Sequence, residues 1–417
     1  MYKNFLKIFI ALILFYIISL TLVYSINPQI LTYHTKSGLT LINKETNYPR
    51  YFFGNSYAVR LDNFTDKFML NTVIPKKDDN TILEQIMFMN GSHRYWNGYQ
   101  IILRPLLITF HYFEIRYINI FIMFGLLIKV MNIISKNINS AASWIFFIAI
   151  MCVKFIAVPV SLSFTNMFIL MFISIIMSEK FLYDKNPCAL NQQKQNLLIK
   201  HIYIFSFILG SITAFFDLLT TPLMPIGMSM LLLYIHYFNK YGYQIPTKNI
   251  FLAFIYWAIA YVGTWFTKWI LAAVVCSPQI FIAAIKKVIF RISGDVDKIE
   301  VQHFLVLEKN IKMLFEPMTL NAWTVLMTGI FIILSALLYK YKKKNLNKTF
   351  ITKILIFAIL PYSWYIMAAN HSQIHYWFTY RLQIITIFGL MYIFYYIIDW
   401  RKFKNKLNEF RLYLNNK

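Results

Sequence analysis

The sequence predicts an all-α polytopic membrane protein with about ten transmembrane helices and a large first external loop carrying interfacial helices. Three observations carry that reading. The 417 residues are 59% hydrophobic and only 14% charged, where a soluble domain carries roughly a quarter charged residues. The apolar residues arrive in runs of about 18 to 25, each able to cross a bilayer core of about 30 Å. The cations gather at the ends of those runs.

Hydropathy windows of about 19 residues place spans near 5–26, 114–134, 142–160, 165–183, 201–217, 219–238, 249–274, 322–339, 350–369 and 382–399. Lys3 and Lys7 stand at the start of the first run as in a secretory leader. That run is too long for a leader's apolar segment and lacks a small-residue cleavage site, so it reads as a retained span. The stretch 98–113 (GYQIILRPLLITFHYF) is apolar but short and interrupted by Arg104-Pro105. An interfacial or re-entrant helix fits it better than another crossing. By eye, no inverted pair of Gly/Pro-broken spans stands out, which disfavours a transporter built from repeats.

With 41 basic and 17 acidic residues the formal charge is +24, a balance that in a soluble protein would suggest nucleic acid. Here it follows topology instead. Short loops holding Lys129 and Lys136, Lys185 to Lys200, Lys240 and Lys248, and Lys340 to Lys344 share a side with Lys3 and the tail Arg401 to Lys417. The opposite short loops, near 161–164, 217–221 and 370–380, hold no Lys or Arg. That asymmetry is the positive-inside pattern. It predicts a multi-pass cell-membrane protein with both termini and the basic tail (400–417) in the cytoplasm, and no nucleic-acid partner. Two long loops, 27–113 and 275–320, then face outward and, with Glu114 at the edge of the first, hold 12 of the 17 acids. Cys152, Cys188 and Cys276 show no metal spacing and no disulfide framework.

Ionisable groups at span depth are costly and mark function unless they snorkel. They are Lys154, Asp217, Lys268 and Arg381. For Asp217 the plain alternative is a helix cap beside Thr220 and Thr221. The densest polar cluster is NHSQIHYWFTYR (370–381), where a helix would put His371 and His375 on one face with Arg381 about a turn and a half further on. The histidines lack the Glu of an HExxH zinc motif. His and Arg together suit a phosphate or pyrophosphate, and the plain alternative is an aromatic-belt loop.

In LDNFTDKFML, Asp62 and Asp66 stand at i, i+4, and Asp78-Asp79 forms a second acidic pair. Such carboxylates suit a general base acting on an acceptor hydroxyl, with or without a divalent cation, Mg or Mn. A capped, solvated helix is the plain alternative. The loop continues through Arg94, Trp96, Arg104, His111 and Arg116, cations mixed with aromatics that could hold a lipid phosphate or a sugar. Gly-rich phosphate loops and GxSxG elbows are missing.

One span, a large acid-bearing loop with a membrane-lying helix, then many spans joined by short loops resembles the GT-C superfamily of integral membrane glycosyltransferases. LDNFTDKFML, RYWNGYQIILRPLL, FFDLLTTP and NHSQIHYWFTYR look like segments of bacterial polytopic membrane proteins. The resemblance implies a polyprenyl-phosphate-linked sugar donor, an acceptor glycan or lipid of the envelope, surrounding membrane lipids, a catalytic acid in the first external loop and a cationic site for the lipid phosphate. It maps the acid to Asp62 or Asp66, with Asp78 or Asp79 next and as weak metal candidates. Arg381, His371, His375, Lys268 and Arg104 map to the phosphate site, with Trp96, Tyr99 and Trp377 stacking on sugar and Asp217 orienting the acceptor or holding a cation. GT-C enzymes often place an acidic motif soon after the first span, whereas Asp62 follows it by about 36 residues. The competing class is a transporter or flippase for a lipid-linked or anionic substrate, with Lys154, Lys268 and Asp217 along the path. A third reading is an envelope scaffold without catalysis.

Overall fold

The structure is a computed structural model that describes residues 2–51, 56–75, 81–183, 191–294, 300–318 and 320–415. These are helical, with no strand among the described residues beyond the isolated bridges Arg50–Arg60 and Lys342–Ile398. In chain order the helices are α1 (Tyr2–Tyr24), α2 (Pro28–Glu45), α3 (Asn63–Asn71), α4 (Ile82–Phe88), α5 (Gln100–Thr109), α6 (Tyr112–Asn137) and α7 (Ser140–Cys152). They continue with α8 (Leu162–Leu182), α9 (Gln192–Phe216), α10 (Leu223–Tyr241), α11 (Thr247–Val275), α12 (Gln279–Ser293) and α13 (His303–Phe315). The last are α14 (Leu320–Tyr341), α15 (Lys348–Met367), α16 (Ala369–Ile374), α17 (Tyr376–Thr379), α18 (Ile384–Ile397) and α19 (Trp400–Asn415).

Among the described residues, seven helical segments are long and apolar enough to cross a membrane: Lys3–Tyr24, Tyr112–Asn137, Leu162–Leu182, Gln192–Phe216, Thr247–Val275, Lys348–Met367 and Tyr376–Ile397. The chain is thus an all-helical multi-pass protein. The three other stretches read as spans are helical over α7, α10 and α14. The run at 142–160 divides because Lys154 adopts a left-handed φ of 56° and a 3₁₀ turn, Phe155–Val160, follows with Pro159 inside it. In α10 every residue from Leu223 to Tyr237 is buried, the mark of a helix wrapped on all sides. Its neighbours are α8, α9, α11, α15 and α18. At Gly210 of α9 a side chain would overlap the Trp257 carbonyl of α11, so glycine lets these two long helices touch backbone to backbone.

The 98–113 stretch forms one short helix, α5, that continues through Pro105 to Thr109. Arg104-Pro105 therefore does not break it. Pro105, the sixth of its ten residues, removes one N–H from a helix that packs on α1 and α2.

The contacts define two faces. On one, Lys343 donates its backbone N–H to Ile397 O, and Lys353 Nζ donates to Ile245 O at 2.8 Å. This is the lysine-rich end. On the other, the two long loops pack on each other and on the short loops 161–164, 217–221 and 370–380. Glu316 accepts from Ser56 Oγ, Tyr57 N and Ala58 N at 2.7, 2.6 and 3.2 Å, and Tyr380 Oη donates to Ala58 O at 2.7 Å.

Candidate functional site

The loop-bearing face holds the acids, and two of them have opposite surroundings. Asp66 is fully buried. One oxygen accepts from Ser161 Oγ and Ser163 N, at 3.1 and 3.0 Å, and the other from Tyr112 Oη and Leu162 N, at 2.8 and 2.9 Å. It therefore caps the N-terminus of α8 from another element and closes two orphan N–H groups. Asp62 caps its own helix, α3, accepting only from Thr65 N (3.1 Å) and Thr65 Oγ1 (2.7 Å). Burial, with the charge of Asp66 added, pushes the Asp62 carboxyl up to about 6 against the pull of these hydrogen bonds and of Arg60. A carboxyl titrating there suits a general base near neutrality. Asp78 and Asp79 lie outside the described residues.

Around Asp62 stands an aromatic-guanidinium stack. The Arg60 guanidinium lies 4.0 Å from the Tyr48 ring centre and 4.4 Å from that of Trp377. Tyr48 meets Trp377 edge-on at 5.6 Å. The first long loop and the 370–381 cluster therefore meet, through Arg60 and Trp377 and through the bonds of Tyr380 and Arg381 to Ala58 O.

The cations expected to bind phosphate are committed elsewhere. Arg381, 1% exposed, donates to Trp377 O and Ala58 O at 2.9 and 3.2 Å and lies against Phe164. Arg104 donates to Val23 O, Ile26 O and Val73 O, tying the ends of α1 and α3. Lys268 donates to Ile86 O and Met87 O at 2.8 and 3.0 Å, in the last turn of α4. In each case a cation supplies donors to helix-end carbonyls that have no intrahelical partner in a dry environment. Lys154 does the same for Leu314 O at 3.2 Å. Trp96 is 1% exposed and donates to Thr264 O, so it offers no face to a sugar. Tyr99 is equally buried.

His371 and His375 do face each other, with ring centres 4.8 Å apart. His371 is clamped: Nε2 lies 2.6 Å from Leu219 O and Nδ1 lies 2.6 Å from Arg291 Nη1. The first contact makes Nε2 the donor, so Nδ1 accepts from Arg291 and the ring is neutral. Burial and the Arg291 charge hold its pKa well below the usual histidine range. His375 is pushed down to about 3 by burial and by the charges of Arg291, Arg60 and Lys287.

Arg291 leads to a feature the sequence had not marked. It lines a cavity of about 420 Å³ bounded by the second half of α11, by α12, by the end of α15 and by the loop at Arg94 and Tyr95. The walls are Tyr95, Tyr261, Trp265, Trp269 and Trp364, and the cations are Arg94, Lys287 and Arg291. Arg291 Nε and Trp364 Nε1, both buried, have no acceptor among the described residues. Exposed apolar residues stand at its edge: Val262 (61%), Ile289 (50%), Ile292 (52%) and Met367 (63%). Val262 and Met367 belong to α11 and α15, which are candidate membrane spans, and Ile289 and Ile292 to α12. Behind Tyr261 sits Asp217, whose carboxylate accepts from Tyr261 Oη at 3.2 Å and from Thr220 N and Oγ1 at 2.8 and 3.0 Å. Burial pushes that carboxyl up to about 6. Asp217 thus closes the turn at Thr220 rather than capping α10, and it supports the cavity wall.

Arg94 was visible in the sequence as one of a mixed strip. Lys287 and Arg291 were not singled out, although QIFIAAIKKVIFRIS sets them at i, i+4 on an amphipathic helix. Among the described residues no three His, Cys, Asp or Glu side chains converge as a metal site. No family model, curated protein or solved structure matches the chain.

Proposed function

We propose that the protein is a GT-C-type membrane glycosyltransferase that takes its sugar from a polyprenyl-phosphate-linked donor and passes it to an envelope glycan or lipid on the external face. The observation that carries this reading is the aromatic-walled cavity edged by exposed apolar residues of two candidate spans. Its apolar mouth suits a lipid chain, and the three cations among its lining residues suit an anionic head. The volume falls in the range of small-molecule sites, roughly 300–1,000 Å³.

The chemistry divides between two neighbouring regions joined at His375, which feels the charges of Arg291 and Lys287 on one side and Arg60 on the other. In the proposed step the Asp62 carboxylate takes the proton of the acceptor hydroxyl as that oxygen bonds to the anomeric carbon. The bond from that carbon to the phosphate oxygen breaks, and its electron pair stays on the lipid phosphate. Arg94, Lys287 and Arg291 hold the charge that grows there. His371 fixes the Arg291 fork, and Asp217 fixes Tyr261. No step is routed through a metal ion.

The test uses the full chain in nanodiscs with a panel of polyprenyl-phosphate sugars, following both binding and transfer. The reading expects transfer that Asp62→Asn abolishes while donor binding persists. Folded protein that transfers nothing across the panel, but moves a lipid-linked anion between leaflets with dependence on Arg291, would establish a flippase instead.

A further inference from the structure

A second cleft, of about 490 Å³, lies on the far side of the first turns of α12 and has a different character. Its polar lining comes from Glu84, His93, Cys276, Ser277 and Gln279. Its apolar surface comes from Ile280, Ala283 and Phe88, the last 40% exposed, with its ring stacked on His93 and centres 6.2 Å apart. Neither ring nitrogen of His93 has a partner. Glu84 uses one oxygen, Oε2, in the capping box with Thr81, and no bond is made through the other. The cleft has Arg94 and Lys268 close enough to lower the His93 pKa, after burial, the larger cause. It therefore mixes one carboxylate with nearby cations and favours neither sign of ligand charge strongly.

We infer that this cleft binds a neutral, hydroxyl-rich ligand, a saccharide, and holds a part of the acceptor glycan away from the hydroxyl that reaches Asp62 in the transferase proposed above, on which its role rests. An exposed aromatic face beside a carboxylate, an amide and a hydroxyl supplies what a sugar ring needs. The CH face stacks on Phe88, and the hydroxyls both donate, to Glu84, and accept, from Gln279.

Cys276 is a native reporter, being a free, partly exposed thiol in the lining. In full-length protein with Cys152→Ala and Cys188→Ser, maleimide labelling of Cys276 is timed in nanodiscs. The additions are glucose, galactose, N-acetylglucosamine or lactose, with glycerol 3-phosphate for comparison. At least one neutral sugar is expected to slow labelling, by about tenfold at roughly ten times its dissociation constant, with no such effect from glycerol 3-phosphate. Glu84→Gln, which can keep the capping box, combined with Gln279→Ala should remove the protection and leave the unprotected rate. No protection by any sugar, or equal protection by the phosphate, overturns the inference. Transfer that persists without protection sinks the saccharide cleft and spares the transferase, whereas protection without transfer does the reverse.

Discussion

Asp62 and Asp66 share a helix face in the sequence, yet their neighbours give them different work. Asp66→Asn would present an amide to one of two backbone donors, Leu162 N and Ser163 N. One unmatched buried N–H costs about 1–3 kcal/mol, so we expect a lower melting temperature in detergent. Asp62→Asn keeps an acceptor for Thr65 N, and asparagine is a good N-cap. The fold should persist while transfer falls by about 10²- to 10⁴-fold. Because burial raises the Asp62 pKa to about 6, the base is ionised above that pH, and the rate should fall as pH drops through it. The stability sign is opposite. A carboxyl raised above its unfolded value contributes stability present below the ordinary carboxylate range and lost as pH rises through about 6. The pH–rate profile should keep its acid limb in Asp217→Asn, and loss of the limb there would reassign the base. That an acid stood in this loop was legible in the sequence. Which of the two was already saturated with donors was not, since three of the Asp66 donors belong to residues nearly a hundred positions away.

At the scale of elements, α12 turns a loop into half of a binding cavity. Its charges Lys287 and Arg291 stand on an amphipathic helix whose apolar residues border the cavity mouth. Arg291→Gln removes a charge-assisted partner of the proposed phosphate, about 1.5–3 kcal/mol. Donor affinity should therefore weaken by roughly 10- to 150-fold, read by tryptophan quenching or scintillation proximity. An unchanged affinity would move the anion site elsewhere. Arg104 and Lys268, in contrast, bridge helix ends. Lys268→Met should lower thermal stability by freeing the end of α4, with the donor dissociation constant unchanged for the protein that remains folded. Sequence reasoning read these buried cations as ligand-binding because a charge at membrane depth needs a partner. The partners turn out to be backbone carbonyls, which have no sequence signature.

Across the whole molecule, the lysine-poor loops lie together on one face, with the acids and the aromatic-lined cavity. If that face is external, Tyr33→Cys, 70% exposed in the wild-type side chain, should react with an impermeant maleimide in intact cells lacking the native cysteines. Lys404→Cys should react only after permeabilisation. The reverse pattern would place the cavity on the cytoplasmic side and end the envelope-acceptor reading. Gly210→Ala tests the bundle itself. Forcing α9 and α11 apart should cost about 1–3 kcal/mol and reduce the yield of folded protein in detergent.

Composition and period alone determined that the chain is a helical, multi-pass membrane protein, because a bilayer demands runs of apolar residues long enough to satisfy their own backbone across it. The lysine distribution separated the loops into two sets for the same reason, since charge concentrates where spans end. Tertiary structure decided which of the costly side chains are locks and which line a cavity. A cation's role depends on the acceptor it reaches. For Arg104, Lys268 and Arg381 those acceptors are carbonyls brought in by distant segments, whereas Arg94, Lys287 and Arg291 are among the residues lining the α12 cavity.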